Sequence, residues 1–198
     1  TGTNIIPSRC AGILIGNNSQ TTGGINLKNN TIRMIQSSAN TNTNSTYSSC
    51  IYLADHSDIE ITNNQLFNNT VNSGNSLSRH GCIYYSLVST QSLGASDYNN
   101  FYFDPALGYL ISSVNATYTI TSLSVLQSST NSNYNSTNIL PVFISTVDAH
   151  MDPTAPTNFL LENTGTAISG YSTDIDGQIR NLSTPDVGAD EFNVTATC

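Results

Sequence analysis

Short apolar runs separated by polar turns recur in the same order three times in the first half of the chain. Each repeat begins at a cysteine followed by an apolar run, and ends with an Asn-Asn pair and a further apolar run. The first two repeats carry another apolar alternation between these runs, at residues 25–27 and 59–61. The cysteines, Cys10, Cys50 and Cys82, lie 40 and 32 residues apart, and the Asn-Asn pairs lie 34 and 36 apart. A loose but ordered period of this length is typical of repeat proteins.

Three short strands per repeat predict an all-β fold, a parallel β-solenoid in which each strand pairs with its equivalents in the neighbouring repeats. Strands of this length are not stable alone, but stacked repeats share one continuous core. Two polar segments, residues 36–49 and 68–80, interrupt the pattern after the third strand. We expect them to protrude as loops, which are either a binding face or surface without a role.

Equivalent residues are expected to meet along the axis of such a stack. Asn30, Asn64 and Asn100 are predicted to form a hydrogen-bonded ladder at one turn, because Asn tolerates left-handed backbone angles and identical amides bond to each other along a stack. The three repeat cysteines are expected to stack likewise as small buried residues. A disulfide between neighbouring repeats, or a redox or metal-binding role, is the alternative.

Composition and charge exclude several classes of protein. Asn, Ser and Thr make up 78 of the 198 residues and charged residues only 9%, which excludes a coiled coil or helical bundle. The net charge is −8 with five scattered basic residues, so no basic surface for nucleic acid is expected. The longest apolar runs fall far short of the ~18 residues of a membrane span. We therefore expect neither nucleic-acid binding nor membrane insertion.

The second half of the chain carries an ordered series of motifs. They are Asp-Tyr-Asn at 97–99, Pro-x-Phe at 141–143, Asp-x-His at 148–150, Gly-x-x-Ile at 165–168, Asp-Ile-Asp-Gly-x-x-Arg at 174–180 and Asp-x-Gly-Ala-x-Glu at 186–191. This order resembles the C-terminal end of secreted right-handed parallel β-helix proteins of Bacteroidetes type, in the pectate-lyase-like superfamily.

The resemblance implies a right-handed β-helix with an irregular C-terminal cap. Residues 1–96 would be repeat coils, and residues 97–192 the last coils and closing segment of the same β-helix. Residues 193–198 would be a tail or the start of a following segment. It also implies an extracellular or cell-surface location, which the scarcity of lysine and the abundance of Asn, Ser and Thr favour.

Function follows less directly, because such β-helices include lyases, hydrolases, adhesins and non-catalytic stalks. Few ionisable groups favour an exported, non-catalytic segment acting in adhesion, carbohydrate contact or as a stalk. The first alternative is a polysaccharide lyase or glycoside hydrolase, although no catalytic residue is assigned. The second is a filament subunit, since exposed strand edges can add another copy end to end. The expected partners are therefore a polysaccharide or further copies of the chain.

Two groups of residues are candidates for binding. Asp174 and Asp176 alternate before a glycine, as in a short Ca²⁺ loop; the alternative is that they cap turns and that Arg180 forms a salt bridge with Asp186 or Asp176. Tyrosine side chains can stack on sugars, and the alternative for them is core packing or stacking between coils. The candidates for glycan contact are Tyr47, Tyr84 and Tyr85.

Overall fold

The computed structural model describes residues 8–16, 24–35, 46–54, 59–70, 78–85, 93, 95–104, 108–113 and 119–195. These residues form short strands and little helix, so the prediction of an all-β chain is confirmed. The strands are β1 (Ser8–Ile15), β2 (Ile25–Lys28), β3 (Thr31–Ile35), β4 (Thr46–Leu53), β5 (Ile59–Thr62), β6 (Gln65–Asn69), β7 (Arg79–Tyr85), β8 (Asn100–Phe103) and β9 (Gly108–Ser113). The helices are α1 (Leu123–Thr130) and a 3-10 helix at Pro156–Leu160.

All of these strands pair in parallel, in three separate sheets. Sheet 1 has the order β1-β4-β7-β9, sheet 2 pairs β2 with β5, and sheet 3 has the order β3-β6-β8. Successive strands along the chain therefore belong to different sheets, and each strand pairs with the strand of the same position in the next repeat. The predicted loops lie largely outside the described residues, and their ends, at residues 46–49, 68–69 and 79–80, are strand.

Isoleucines in register set the core of sheet 1. Ile13 pairs with Ile51, Ile51 with Ile83, and Ile83 with Ile111. Strand side chains alternate between the two faces of a sheet, so the residues two positions from each of these isoleucines share the inner face with it. These side chains pack with inner residues of the other two sheets into one cluster. Its fully buried members include Leu66 and Phe101 of sheet 3, which follow Ile32 in the same register.

A ladder of asparagines occupies the turn between sheets 2 and 3. The Asn64 carboxamide oxygen accepts hydrogen bonds from the backbone and side-chain nitrogens of Asn30, at 3.1 and 2.8 Å. The Asn64 side-chain amide in turn donates to the side-chain oxygen of Asn99, at 3.0 Å. Residues 29 and 63, and Tyr98 in the third repeat, precede the ladder with positive φ angles of 54°, 56° and 57°.

The third member of the ladder is Asn99, so the prediction of Asn100 was wrong by one residue. Asn100 lies in β8 and pairs with Gln65 instead, donating to its side-chain oxygen at 3.2 Å. The cause is that Tyr98, rather than an asparagine, occupies the left-handed position of the third turn. The Asn-Asn pair is thereby displaced by one position relative to those of the other repeats.

Two of the three repeat cysteines are in equivalent positions. Cys50 and Cys82 are buried and are not in a disulfide. The residues on either side of Cys50 in β4 pair with the residues on either side of Cys82 in β7. The Cys50 thiol donates to the Ile32 carbonyl oxygen and the Cys82 thiol to that of Leu66, each at 3.7 Å.

Cys10 does not continue this ladder, so that part of the prediction was wrong. Cys10 pairs with Ser48 and is exposed. Gly12 is the residue opposite Cys50, since its neighbours pair with residues 49 and 51. A Cβ atom at position 12 would lie 2.9 Å from the Cys50 carbonyl oxygen. The backbones approach too closely there for a cysteine.

Irregular structure covers the end of the stack beyond β9. Ile120 forms an antiparallel bridge with Ile111 of β9, and α1 follows. The Ser122 hydroxyl caps this helix by accepting from the Val125 backbone nitrogen at 3.3 Å, and Leu126 is fully buried in the core cluster. Neither described helix is long and apolar enough to cross a membrane.

Residues 131–195, here named the closing segment, pack on the outer face of sheet 3. The ring of Phe67 stacks on that of Tyr102, with centroids 5.4 Å apart. Phe143 of the closing segment meets Phe67 edge to face at 5.4 Å, and a second buried cluster forms around these rings. Sheet 3 is therefore apolar on both faces, and the closing segment is part of the fold.

We expect Asn64→Ala to lower the free energy of unfolding by about 2–5 kcal/mol, because it leaves several buried polar groups without partners. Asn64 is fully buried and also donates to the Leu27 carbonyl oxygen at 2.7 Å. Urea denaturation followed by circular dichroism measures the loss. The control is Asn26→Ala, an exposed asparagine whose amide donates only locally, to the Gly24 carbonyl oxygen. Equal losses in the two variants would contradict a structural role for the ladder.

We expect iodoacetamide to modify Cys10 in the native protein, and Cys50 and Cys82 only after unfolding. Both inner thiols are buried, and burial raises the pKa of the Cys82 thiol and so suppresses its thiolate. Peptide mass spectrometry after timed alkylation measures the three rates. Modification of the inner cysteines as fast as Cys10 would show that the stack does not enclose them.

Candidate functional site

The closing segment is attached to the turns of the repeat region by backbone hydrogen bonds. The Gly188 backbone nitrogen donates to the Asn63 carbonyl oxygen at 2.8 Å, and that of Ala189 to the Thr31 hydroxyl at 2.9 Å. Gly188 has a φ of 102°, and a Cβ there would lie 2.6 Å from the Thr31 hydroxyl. Glycine is required at this point both for its backbone angle and for the close approach.

A second attachment is made by Arg33 of β3. Its guanidinium lies over the Phe143 ring, 4.5 Å from the centroid. It donates to the Ser145 carbonyl oxygen and, at 3.2 Å, to that of Asp148. Burial lowers the pKa of Arg33, and the aromatic face and carbonyl oxygens compensate the desolvated charge. The Arg33 guanidinium therefore stabilises the contact between β3 and the closing segment.

The buried side chain of Arg180 stabilises the last part of the closing segment. Arg180 is 3% exposed and donates to the Gly188 carbonyl oxygen at 2.8 Å and to the backbone carbonyl oxygen of Asp186 at 3.2 Å. Its ion pair is with Glu191, at 3.5 Å. The predicted salt bridge to the Asp186 carboxylate was therefore wrong, because Asp186 offers Arg180 its backbone oxygen.

The Asp186 carboxylate forms hydrogen bonds with backbone nitrogens instead of an ion pair. It accepts hydrogen bonds from the backbone nitrogens of Asn163, at 2.5 Å, and Phe192, at 2.7 Å. Burial raises its pKa to about 7, against these two hydrogen bonds, which favour the ionised form. Asp186 thus ties two distant parts of the closing segment together.

The two aspartates predicted to hold Ca²⁺ have different roles. Asp174 accepts hydrogen bonds from three backbone nitrogens, those of Asp176 at 2.9 Å, Gln178 at 2.7 Å and Glu191 at 3.0 Å. Its carboxylate organises the turn around Gly177, whose φ is 82°. Asp176 instead extends its carboxylate toward His150, with 3.0 Å between Oδ2 and Nε2.

Among the described residues, His150, Asp176 and Asp190 form a group of side chains placed to ligate a metal ion. One potential ligand atom from each lies within 4.8 Å of the others. The Asp148 carboxylate accepts from His150 Nδ1 at 2.5 Å and raises the pKa of His150, with smaller contributions from the charges of Asp190, Asp148 and Asp176. Burial raises the pKa of Asp190.

A separate cleft of about 380 Å³ lies between the repeat turns and the closing segment. Its lining includes Asn29 and Asn63 from the turns, and Tyr171, Asn181 and Leu182 from the closing segment. Tyr171 is 50% exposed and Leu182 78% exposed. We name this the Tyr171 cleft. It combines apolar surfaces with amide side chains, as ligand sites commonly do.

The tyrosines predicted to contact a glycan are mostly inaccessible. Tyr84 is 3% exposed and its ring lies between those of Tyr47, edge on at 5.4 Å, and Tyr52, stacked at 5.3 Å. Tyr85 belongs to the core cluster, where burial raises the pKa of its hydroxyl. Tyr84 and Tyr85 therefore pack within the fold, and only Tyr47 of the three is partly exposed.

Other residues with catalytic chemistry are also structural. Ser48 Oγ lies 2.8 Å from His80 Nδ1, the contact expected of a nucleophile and its base. Both side chains are buried, at 7% and 3% exposure, and burial lowers the pKa of His80. A substrate has no access to the pair. Lys28 forms an ion pair with Glu60 at 3.4 Å.

Tyr171 lies in none of the sequence motifs, and no functional role was predicted for His150 or Asp190. His150 and Asp190 occur in the Asp-x-His and Asp-x-Gly-Ala-x-Glu motifs, and Asp176 in a third motif. Their shared feature is that they lie in motifs of one segment. No pattern within any single motif indicates that the three side chains converge.

No family model, curated protein or solved structure matches this chain.

We expect Asp186→Asn to destabilise the protein more at about pH 5 than at about pH 8. The pKa of this carboxyl is about 7 in the folded chain and about 3.9 in an unfolded one. The folded state therefore binds more protons between these values, and the wild-type free energy of unfolding falls as the pH rises through them. The variant lacks this dependence.

Urea denaturation at both pH values measures the difference between the variant and the wild type. At either pH, asparagine also places an amide donor against one of two backbone donors, which costs about 1–3 kcal/mol. The control is Asp152→Asn, since hydrogen bonds from Thr154 lower the pKa of the Asp152 carboxyl and its titration falls below this range. A larger effect of Asp186→Asn at pH 8 would refute the assigned direction.

Proposed function

We propose that the protein is an exported, non-catalytic right-handed parallel β-helix that contacts a neutral polysaccharide through the Tyr171 cleft. The observation that carries the proposal is the cleft itself, whose lining combines a half-exposed tyrosine with amide and hydroxyl side chains. The resemblance to secreted β-helix proteins supports an extracellular or cell-surface location.

The pairing pattern supports the β-helix. Three parallel sheets that each take one strand from successive repeats are the arrangement expected when a chain winds around a common core. Parallel strands need a crossover connection, and crossovers are right-handed in nearly all proteins. The shared inner cluster of Ile51, Leu66 and Ile59, one from each sheet, is the core of such a coil.

The contacts of three of the five basic side chains support a non-catalytic role. Lyase chemistry on acidic sugars needs a base and cations that neutralise the sugar carboxylate. Lys28 pairs with Glu60, Arg33 lies on Phe143, and Arg180 is buried with Glu191. These groups stabilise the closing segment or the strands, and moving any of them to a substrate would leave a buried or paired charge without its partner.

The chemistry of the cleft favours a neutral sugar. A tyrosine ring offers a flat apolar face to the C–H groups of a pyranose, and its hydroxyl adds a polar end. The Asn181 side-chain amide donates one hydrogen bond to Asn163 and the Asn29 side-chain oxygen accepts one from Asn63, each at 3.1 Å. Because a carboxamide has two N–H donors, both residues retain donors for sugar hydroxyls. The chain carries a net charge of −8, which disfavours polyanions such as polyuronates.

The structure favours this proposal over a filament built by stacking through the last coil. Ile120 pairs with β9, and Thr137 takes the outer edge of β8, where its carbonyl oxygen accepts from the Phe101 backbone nitrogen at 2.9 Å. Covered edges do not template the addition of another strand. A second copy would have to displace α1 to reach the core.

We expect the protein to be retarded in native gels containing at least one neutral polysaccharide, and Tyr171→Ala to weaken that retardation about fivefold to tenfold. The estimate follows from an aromatic contact worth about 1–1.5 kcal/mol. Affinity electrophoresis against neutral and uronate polysaccharides measures it. The control is Tyr134→Ala, which removes a tyrosine that is 61% exposed on the same closing segment but outside the cleft.

Two outcomes would contradict the proposal. The first is equal binding by the Tyr171 and Tyr134 variants, or no retardation by any polysaccharide. The second is the appearance of reducing ends or unsaturated products when the protein is incubated with the same panel, which would support the lyase or hydrolase alternative.

A further inference from the structure

Three motifs of the closing segment deliver nitrogen and oxygen donors to one point. His150 ends the Asp-x-His motif, Asp176 lies in the turn organised by Asp174, and Asp190 precedes the half-buried Glu191. His150, Asp176 and Asp190 each have one donor atom within 4.8 Å of a donor atom of the other two. The side chains border a cleft of about 390 Å³ that also includes Gln178. This cleft is distinct from the Tyr171 cleft.

The imidazole of His150 is held in the orientation found in metal-binding histidines. Asp148 Oδ1 accepts from Nδ1 at 2.5 Å and from the His150 backbone nitrogen at 3.0 Å. A carboxylate on one ring nitrogen fixes the tautomer, so that the other nitrogen presents its lone pair to the metal. The remaining nitrogen, Nε2, faces Asp176 and Asp190.

That nitrogen is shielded from solvent although the His150 side chain as a whole is 37% exposed, and its hydrogen-bonding capacity is unused. His150 Nε2 is inaccessible to solvent and has no hydrogen-bond partner among the described residues. Asp176 Oδ2 lies 3.0 Å away, so the two atoms are close without the alignment of a hydrogen bond. A buried polar atom without a partner is costly and calls for an explanation such as an ion.

Asp190 contributes a carboxylate that is already fixed in place. It is 6% exposed, and its Oδ2 accepts from the Met151 backbone nitrogen at 2.9 Å. A carboxylate buried next to a second carboxylate is unfavourable unless a positive charge compensates it. A divalent cation between the two carboxylates and His150 Nε2 supplies that charge.

We propose that His150, Asp176 and Asp190 bind one divalent transition-metal ion, with Zn²⁺ preferred, and that water completes the coordination from the cleft. One imidazole nitrogen and two carboxylate oxygens are a donor set that Zn²⁺ accepts. Ca²⁺ takes six to eight oxygen ligands and is not suited to an imidazole. The site differs from the predicted Ca²⁺ pair, since Asp174 is engaged by backbone nitrogens and takes no part.

The geometry needs only a small adjustment. Tetrahedral Zn²⁺ with bonds near 2.0–2.1 Å brings its ligand atoms to about 3.3 Å from one another, whereas the present atoms span up to 4.8 Å. Asp176 Oδ2 already lies 3.0 Å from His150 Nε2, so the longer separations are those to Asp190. The Asp176 side chain is 49% exposed and Gly177 follows it in a turn, which leaves room for the ligands to adjust toward Asp190.

The test is isothermal titration of the chelator-treated full chain with Zn²⁺, and separately with Ca²⁺. We expect one Zn²⁺ per chain, a higher unfolding temperature with the metal bound, and no comparable binding of Ca²⁺. Asp176→Asn should lower the Zn²⁺ affinity at least about tenfold, and Asp148→Asn about 10–100-fold through loss of the imidazole orientation. Asp152→Asn is the matched control, because this carboxylate belongs to the same segment but does not line the cleft.

Near-ultraviolet circular dichroism of each variant shows whether the closing segment is intact without metal. Co²⁺ substitution provides a readout that does not depend on stability, because its visible spectrum reports the coordination geometry. The proposal is overturned if Zn²⁺ does not saturate at one per chain, if Asp176→Asn and Asp152→Asn bind it equally, or if Ca²⁺ binds as tightly. The site does not depend on the proposed polysaccharide contact, so metal binding without sugar binding would refute only the latter.

Discussion

The fold depends on the satisfaction of buried polar groups by the equivalent residue one repeat away. Asn64 uses both ends of its carboxamide, one toward Asn30 and the other toward Asn99, at a turn that excludes water. A register slip of one residue would leave these groups without partners and would also turn the inner side chains outward. Hydrophobic burial drives the stack together, and the amide ladder selects the register.

The elements of the stack were predictable because their signals are local. An alternation such as Ile59-Glu60-Ile61 indicates a strand, and an Asn-Asn pair indicates a turn, without knowledge of the rest of the chain. Which residues are equivalent is decided by contacts between repeats. Tyr98 takes the left-handed position in the third turn, and the ladder therefore selects Asn99. Gly12 aligns with Cys50 for a similar reason, the close approach of two backbones.

The sites were less predictable, because some carboxylates accept hydrogen bonds from backbone nitrogens and are therefore not available to a ligand. Asp174 and Asp176 are two residues apart in one motif, yet Asp174 accepts three backbone hydrogen bonds and Asp176 points into a cleft. Sequence alternation cannot distinguish these roles, since the donors come from the turn and from Glu191. The same holds for tyrosines, because Tyr84 is buried on sheet 1 and Tyr171 is exposed in an irregular segment.

The outer face of sheet 3 explains why both candidate sites lie on the closing segment. Phe67 and Tyr102 make this face apolar, and an uncovered apolar face would favour aggregation. Covering it with irregular chain brings loops with polar side chains next to a rigid sheet, to which Arg33 and Gly188 fix them. Loops fixed in this way hold donors in place without the entropy loss that a mobile loop incurs on binding. The closing segment therefore serves as both the cover of the stack and the scaffold of its binding surface.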